Sequence, residues 1–275
     1  MRTNESKTGQ LDIGARTRSA EDEAAMDAPP PPADDWALFL DVDGCLLDIT
    51  DTPDAVVVPD GLRETLEVLR SRLDGALALV SGRNIATLDA LFAPSRFNAV
   101  GLHGVECRND AGELHAAQSP PQLAGIRKAA SRLAAVYDGV VVEDKDPALA
   151  LHWRRAPEAE PALQAFATHS VEQLPGYRLQ HGKQVVELYP GGAGDEGADK
   201  GRAIAQLLQA PPFEGRLPVF AGDDLTDESG FEVVNAHGGL SVLVGQRTPS
   251  AARFGLRDPA TVRAWLGAHS GKEME

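Results

Sequence analysis

From Trp36 onward, short apolar runs alternate with stretches whose apolar residues recur every three or four positions. Trp36–Leu40, Ala76–Val80, Asn98–Leu102 and Leu217–Ala221 read as buried strands, because each run is short, continuous and stopped by glycine or polar residues. Asp60–Leu73 places Leu62, Leu66, Leu69 and Leu73 at helical spacing, and Ile85–Leu91 reads as a second helix. Such alternation predicts an α/β fold with a doubly wound parallel sheet. The rhythm then changes. Helix Pro120–Val136 precedes strands Val140–Glu143 and Leu149–Arg154, and helix Glu158–Leu174 precedes strands Tyr177–Gln180 and Gln184–Tyr189. Helix-strand-strand, twice over, predicts a small α/β cap inserted in the core. The core pattern resumes at Lys200, with Ile204, Leu207 and Leu208 on one helical face. The predicted core is therefore 36–112 and 193–267, and the cap 113–192. Met1–Asp35 is polar, lacks an apolar period and carries prolines 29–32, which predicts a disordered tail ending in a stiff spacer. Residues 268–275 are expected to form a C-terminal tail.

Several predicted strand ends carry chemistry. The first leads into Asp41-Val42-Asp43-Gly44-Cys45-Leu46. Residues two apart in an extended chain point the same way, so Asp41 and Asp43 face one site at the edge where open α/β sheets bind ligands. Two carboxylates there repel each other and lose water, which costs free energy unless a cation or proton compensates. Leu217–Ala221 leads into a second acid cluster, Gly222-Asp223-Asp224-Leu225-Thr226-Asp227-Glu228. In one parallel sheet the two clusters converge. Hard oxygen donors without a neighbouring His or Cys pair point to Mg2+. Ser81-Gly82-Arg83 follows a third strand, and Lys200 opens a helix. Alone, Ser81 fits an N-cap, Lys200 a solvated side chain, and Asp227 and Glu228 favourable charge in a first helical turn. Taken in order, D-x-D, Ser, Lys and G-D-D supply the acids, hydroxyl and cation that phosphoryl transfer needs.

Composition narrows the partners. The 275 residues carry 26 basic and 41 acidic side chains, a formal charge of −15. That excess argues against nucleic acid and anionic membranes. It permits an anionic substrate, because local cations can reverse the field inside one cleft. Two cysteines give no disulfide framework and fit a reducing cytoplasm. No apolar stretch is long enough to span a membrane, and no basic-then-apolar leader opens the chain. Neither G-x-x-x-x-G-K-[ST] nor a G-x-G-x-x-G at a strand-helix junction occurs, which argues against a kinase or NTPase.

The ordered motifs resemble the haloacid dehalogenase superfamily of phosphatases. GLHGVE, GKQVVELYP and GDDLTDE followed by SGF resemble more narrowly its trehalose-6-phosphate phosphatase family, and the matching segments cover most of Trp36–Leu266. The resemblance implies a Rossmann-like core with an α/β cap. It implies Mg2+-dependent hydrolysis of trehalose 6-phosphate to trehalose and phosphate, through an aspartyl phosphate. Asp41 is then the nucleophile, and Asp43 the acid and base. Mg2+ is held by Asp41, Asp223 and the backbone carbonyl of Asp43, with Asp224, and more weakly Asp227, in support. Ser81 and Lys200 hold the phosphoryl group. Asp41, Val42 and Asp43 form the substrate-binding turn. On a strand, Lys183, Val185 and Glu187 share one face and match the family's GKxxxE segment, which implies sugar contacts for Lys183 and Glu187. His152 and Arg154, His103 and Glu106, and Arg83 are further substrate candidates. The implied partners are a small-molecule substrate and, functionally, a trehalose-6-phosphate synthase. Another sugar phosphate, such as sucrose phosphate or a mannosyl phosphoglycerate, is the alternative substrate. A non-catalytic sensor is disfavoured because Asp41 and Asp43 are both present. Cys45 stands where the family usually has Thr, and Gly191–Gly197 looks like a small insertion.

Overall fold

Twelve strands and seven α-helices are found in a computed structural model that describes residues 26–50, 52, 55–191 and 199–267. The larger sheet contains β1 (Trp36–Asp41), β2 (Leu77–Val80), β3 (Asn98–Gly101), β4 (Glu106–Arg108), β5 (Leu114–Ala116), β10 (Leu217–Gly222), β11 (Leu240–Val244) and β12 (Phe254–Leu256). Its order is β12-β11-β10-β1-β2-β3-β4-β5. The six strands from β12 to β3 run parallel, and β4 and β5 are antiparallel additions at one edge. All six residues of β1 are buried, as expected of a central strand covered on both faces. Its core partners include Phe213, stacked on Phe39 with ring centroids 5.2 Å apart. The core helices are α1 (Leu62–Arg72), α2 (Ile85–Leu91), α5 (Lys200–Leu207), α6 (Glu228–Ala236) and α7 (Pro259–Leu266).

A second sheet, β6 (Val141–Asp144), β7 (Leu149–His152), β9 (Val185–Pro190) and β8 (Tyr177–Gly182), is wholly antiparallel in the order β6-β7-β9-β8. Helices α3 (Pro121–Ala134) and α4 (Glu160–Val171) share its separate apolar core. Leu149 and Leu151 of β7, with Val186 and Leu188 of β9, pack against Leu123 and Leu163. Strand alternation therefore turns His152, Val185 and Glu187 the other way, towards the large sheet. The parallel-sheet core and the α/β cap are as the sequence predicts.

Several boundaries differ, among them the end of β7, which stops at His152 and leaves Arg154 in the following turn. Strand β5 continues the large sheet past Gly112, so we place the core–cap division after Ala116; β4 and β5 are too short and polar to stand out in the sequence. Residues 26–35 are docked on the core rather than disordered. Pro29 is buried, the Asp27 carbonyl accepts from Gly255 N, and the Pro30 carbonyl accepts from Trp265 Nε1 at 2.8 Å. The spacer is held by polar anchors, which leave no apolar period to read. The predicted strand Gln184–Tyr189 begins one residue later, because Lys183 and Gln184 form the β8–β9 turn, with Gln184 at φ 62°. The remainder of the predicted N-terminal tail, the C-terminal tail and most of the Gly191–Gly197 insertion lie outside the described residues.

Candidate active site

Register brings the motifs together. Asp41 pairs with Val80 on β2, and Leu40 pairs with Ala221 on β10, so three neighbouring strands end at one level. Ser81 and Gly222 sit beside Asp41 as a result. Gly44, at φ 82°, turns the chain back; a Cβ there would lie 2.2 Å from the Asp223 carboxylate. The two acid clusters are thus in contact, as their places at strand ends predict.

Lys200 is the first residue of α5, behind the N-cap Asp199, which accepts from Arg202 N. Its ammonium donates to Asp41 Oδ1 at 2.8 Å and to Asp227 Oδ1 at 2.6 Å, and it is 2% exposed. Burial alone would lower the Lys200 pKa, but Asp227 and Asp41 outweigh it and raise the value. Asp227 is completely buried, and its Oδ2 accepts the backbone N–H groups of Asp223 and Asp224, both at 2.9 Å. Burial pushes the Asp41 carboxyl well up, with Lys200 opposing; burial and Asp227 push Asp223 up to about 7. These carboxylates hold excess proton affinity that a cation would relieve.

Asp41, Asp223 and Asp227 each offer a carboxylate oxygen, all within 4.8 Å of one another. Among the described residues, Asp223 Oδ1 is buried without a hydrogen-bond partner. That orphaned hard donor beside Asp41 fits a divalent ion such as Mg2+. Both Asp227 oxygens are already engaged, which makes it a holder of Lys200 and of the acid loop. Asp224 lines the cleft but is exposed, and its carboxylate accepts Leu225 N in a capping interaction.

A cleft of about 290 Å³ lies between core and cap. From the core, Asp41, Asp43, Ser81, Arg83, Lys200 and Asp223 line it. Arg83 forks onto Asp43, Nε to Oδ2 at 2.7 Å and NH2 to Oδ1 at 2.8 Å. Ser81 is buried, and its Oγ accepts from Arg83 N. From the cap, His152, Arg154 and Lys183 reach the cleft as expected. His152 Nε2 meets Glu143 Oε2 at 2.9 Å, and Arg154 NH1 donates to the Thr50 carbonyl.

Other candidates are placed differently. The Val42 side chain lies in the core, and its carbonyl accepts from Leu46 N and Leu47 N, which leaves only its backbone N–H for the substrate-binding turn. Glu106 does not line the cleft; its carboxylate accepts Ile85 N at 2.7 Å, at the start of α2. Glu187 faces the core as strand parity predicts, but His103 and Lys145 intervene. Its Oε2 meets His103 Nε2 at 3.2 Å, and its Oε1 pairs with Lys145. Despite burial, Lys145 and His103 hold the Glu187 carboxyl well below the usual range. His103 itself lines the cleft, at φ 54°.

Sequence reasoning missed Lys145. It sits in the β6–β7 connection between Asp144 and Asp146, a context that reads as a solvated turn. Its ammonium donates to the Gly82 carbonyl, 3.2 Å away on the core, and pairs with Glu187. The available signal was the even spacing of Glu143 and Lys145, hidden when the predicted strand stopped at Glu143.

The family model described as trehalose-phosphatase matches residues 39–260. A trehalose-6-phosphate phosphatase of Escherichia coli is 45% identical over 232 residues, covering 84% of this chain and 85% of that protein. A probable trehalose-phosphate phosphatase of Sinorhizobium fredii is 42% identical over 223 residues, covering 81% and 82% respectively. The C-terminal domain of the C. albicans trehalose-6-phosphate phosphatase superposes with a TM-score of 0.72 at 21% identity, over 89% of this chain and 98% of that one, a likeness of fold.

Proposed function

This chain belongs to the trehalose-phosphatase family, and we propose that it hydrolyses trehalose 6-phosphate to trehalose and phosphate with Mg2+, through an aspartyl phosphate. The observation that carries the reading is the buried Lys200, 2.8 Å from Asp41, on the floor of a cleft faced by charged cap residues. A phosphate monoester reacts slowly in water, and its hydrolysis is accelerated chiefly by positioning and charge neutralisation.

An Asp41 carboxylate oxygen forms a bond to phosphorus as the bond to the sugar oxygen breaks, and Asp43 supplies the proton to that leaving oxygen. Asp43 then takes a proton from the water that attacks phosphorus, which releases phosphate and regenerates Asp41. Arg83 orients Asp43 through its bidentate grip. Lys200 and Ser81 hold the phosphoryl oxygens. Asp41 and Asp223 would hold Mg2+, with Asp224 in outer support; bound there, the ion supplies positive charge against the phosphoryl oxygens.

Cap side chains bear the sugar selectivity. Lys183, His152, Arg154 and the Lys145–Glu143 pair place cations and hydrogen-bonding groups over the cleft. The reading places the enzyme in the cytoplasm, functionally after a trehalose-6-phosphate synthase. Among the described residues, no helix is long and apolar enough to cross a membrane.

Phosphate release from trehalose 6-phosphate, sucrose 6-phosphate, mannosyl-3-phosphoglycerate and glucose 6-phosphate, with Mg2+ or EDTA, tests the proposal. The highest kcat/KM is expected for trehalose 6-phosphate with Mg2+, and EDTA is expected to abolish turnover. Preference for another ester would overturn the substrate assignment, and full activity after chelation the metal assignment.

A further inference from the structure

Glu228, whose place in the sequence suggests only helpful charge in the first turn of α6, is a hub outside the cleft. Its Oε1 accepts the Ser250 hydroxyl at 2.8 Å and pairs with the Arg247 guanidinium; its Oε2 accepts Ala251 N at 2.7 Å. Arg247 also donates to the Pro249 carbonyl at 3.0 Å and to the Asp224 carbonyl at 3.3 Å. The guanidinium therefore joins the loop after β11 to the acid loop 222–227. On its inner side that loop is held by its amides, through the Asp223 and Asp224 N–H groups on Asp227.

We infer that Arg247, itself held by Glu228, is a positioning residue that fixes the acid-loop backbone and so the direction of the Asp223 carboxylate. Neither side chain lines the cleft. Their opposite charges largely cancel at the active site, so the pair acts through geometry rather than through its field. It is also not the sole anchor of the loop after β11. Asn235 Nδ2 donates to the Ala251 carbonyl at 2.7 Å, and Arg253 N donates to the Ser241 carbonyl at 3.1 Å. A variant lacking the clamp is therefore expected to fold. The consequence for Mg2+ rests on the proposed function; the consequence for the loop does not.

The test is Arg247→Met combined with Glu228→Gln, which removes both charges and leaves the local balance unchanged. In the metal-free protein, amide exchange at Asp223 and Asp224 is expected to quicken roughly tenfold, as for loss of one charge-assisted hydrogen bond. Exchange in β1 should stay the same. The Mg2+ dissociation constant by calorimetry should rise about fivefold to tenfold. Exchange at both amides within twofold of the parent overturns the inference. If the parent binds no Mg2+, the metal reading fails, while exchange still decides the clamp. If the double variant does not fold, Arg247→Lys takes its place, with exchange expected to quicken about threefold and an unchanged rate refuting the role.

Discussion

Replacing Lys200 with Met is expected to destabilise the protein in a way that depends on pH. The ammonium is 2% exposed and lies between Asp41 and Asp227, with Asp223 adjoining. Methionine keeps most of the apolar stem, so the main loss is charge. Removing one partner of a buried ion pair costs about 3–5 kcal/mol, because the remaining charge is left uncompensated. At about 2–3 °C per kcal/mol for a chain of this size, the melting temperature should fall by roughly 6–15 °C at pH 8 in EDTA. The sign against pH follows from the neighbours. Asp41 and Asp223 have folded-state pKa values above the unfolded carboxylate value, mainly through burial, with Asp223 at about 7. The folded metal-free protein therefore binds these protons more tightly than the unfolded chain. Its stability falls as pH rises from about 4 through the Asp223 value of about 7. Without Lys200 that fall is steeper. At pH 4.5, well below the Asp223 value, that carboxyl is protonated, and the gap between parent and variant should narrow. Differential scanning calorimetry from pH 4.5 to 8 provides the measurement. An equal loss at both ends would mean that Lys200 stabilises through packing, and the electrostatic argument would fail.

Other perturbations separate the remaining roles. Asp41→Asn should abolish phosphate release while raising metal-free stability at pH 8, because one of the crowded carboxylates is gone; turnover near the parent rate would remove Asp41 from the chemistry. Lys183→Ala should raise KM for trehalose 6-phosphate, lowering kcat/KM roughly 5- to 100-fold, while sparing p-nitrophenyl phosphate, and equal losses on both esters would end its assignment to the sugar. Cys45 is buried, and burial followed by Asp41 pushes its thiol well up, so Cys45→Ala should keep phosphate release within about tenfold; a loss as complete as that of Asp41→Asn would point to a thiol nucleophile. Deleting 1–35 should lower the melting temperature by roughly 5–10 °C through loss of buried Pro29 and the Pro30–Trp265 bond; an unchanged melting temperature would refute the docking of 26–35.

The phosphoryl half of the site was legible because its residues stand where strands end. Asp41, Ser81 and Asp223 each follow an apolar run, and parallel register alone brings those runs level. Tertiary contact is even written into the motif glycines: a Cβ on Gly222 would lie 2.4 Å from Asp227 Cγ, and one on Gly44 would meet Asp223. Only glycine lets the acid loops approach that closely, so the spacing of D-x-D-G and G-D-D records a three-dimensional packing. The cap half was less legible because its side chains act on one another before any ligand. Strand parity turned Glu187 towards the core, yet parity says nothing of His103, which arrives from an αL turn, or of Lys145, which arrives from another hairpin. Glu106 shows the same limit in reverse. Its place in GLHGVE, near the core–cap junction, suggested substrate, while its carboxylate accepts the Ile85 amide at the start of α2. A charged residue on an edge is ambiguous until its partner is known, and partners more than twenty residues away leave no periodic trace. Within the trehalose-phosphatase family, selectivity is then expected to depend on which cap charges neutralise each other and which remain turned to the cleft. In this chain Glu187 lies behind His103 and Lys145, so substitutions there should alter sugar affinity indirectly, through the two side chains it holds.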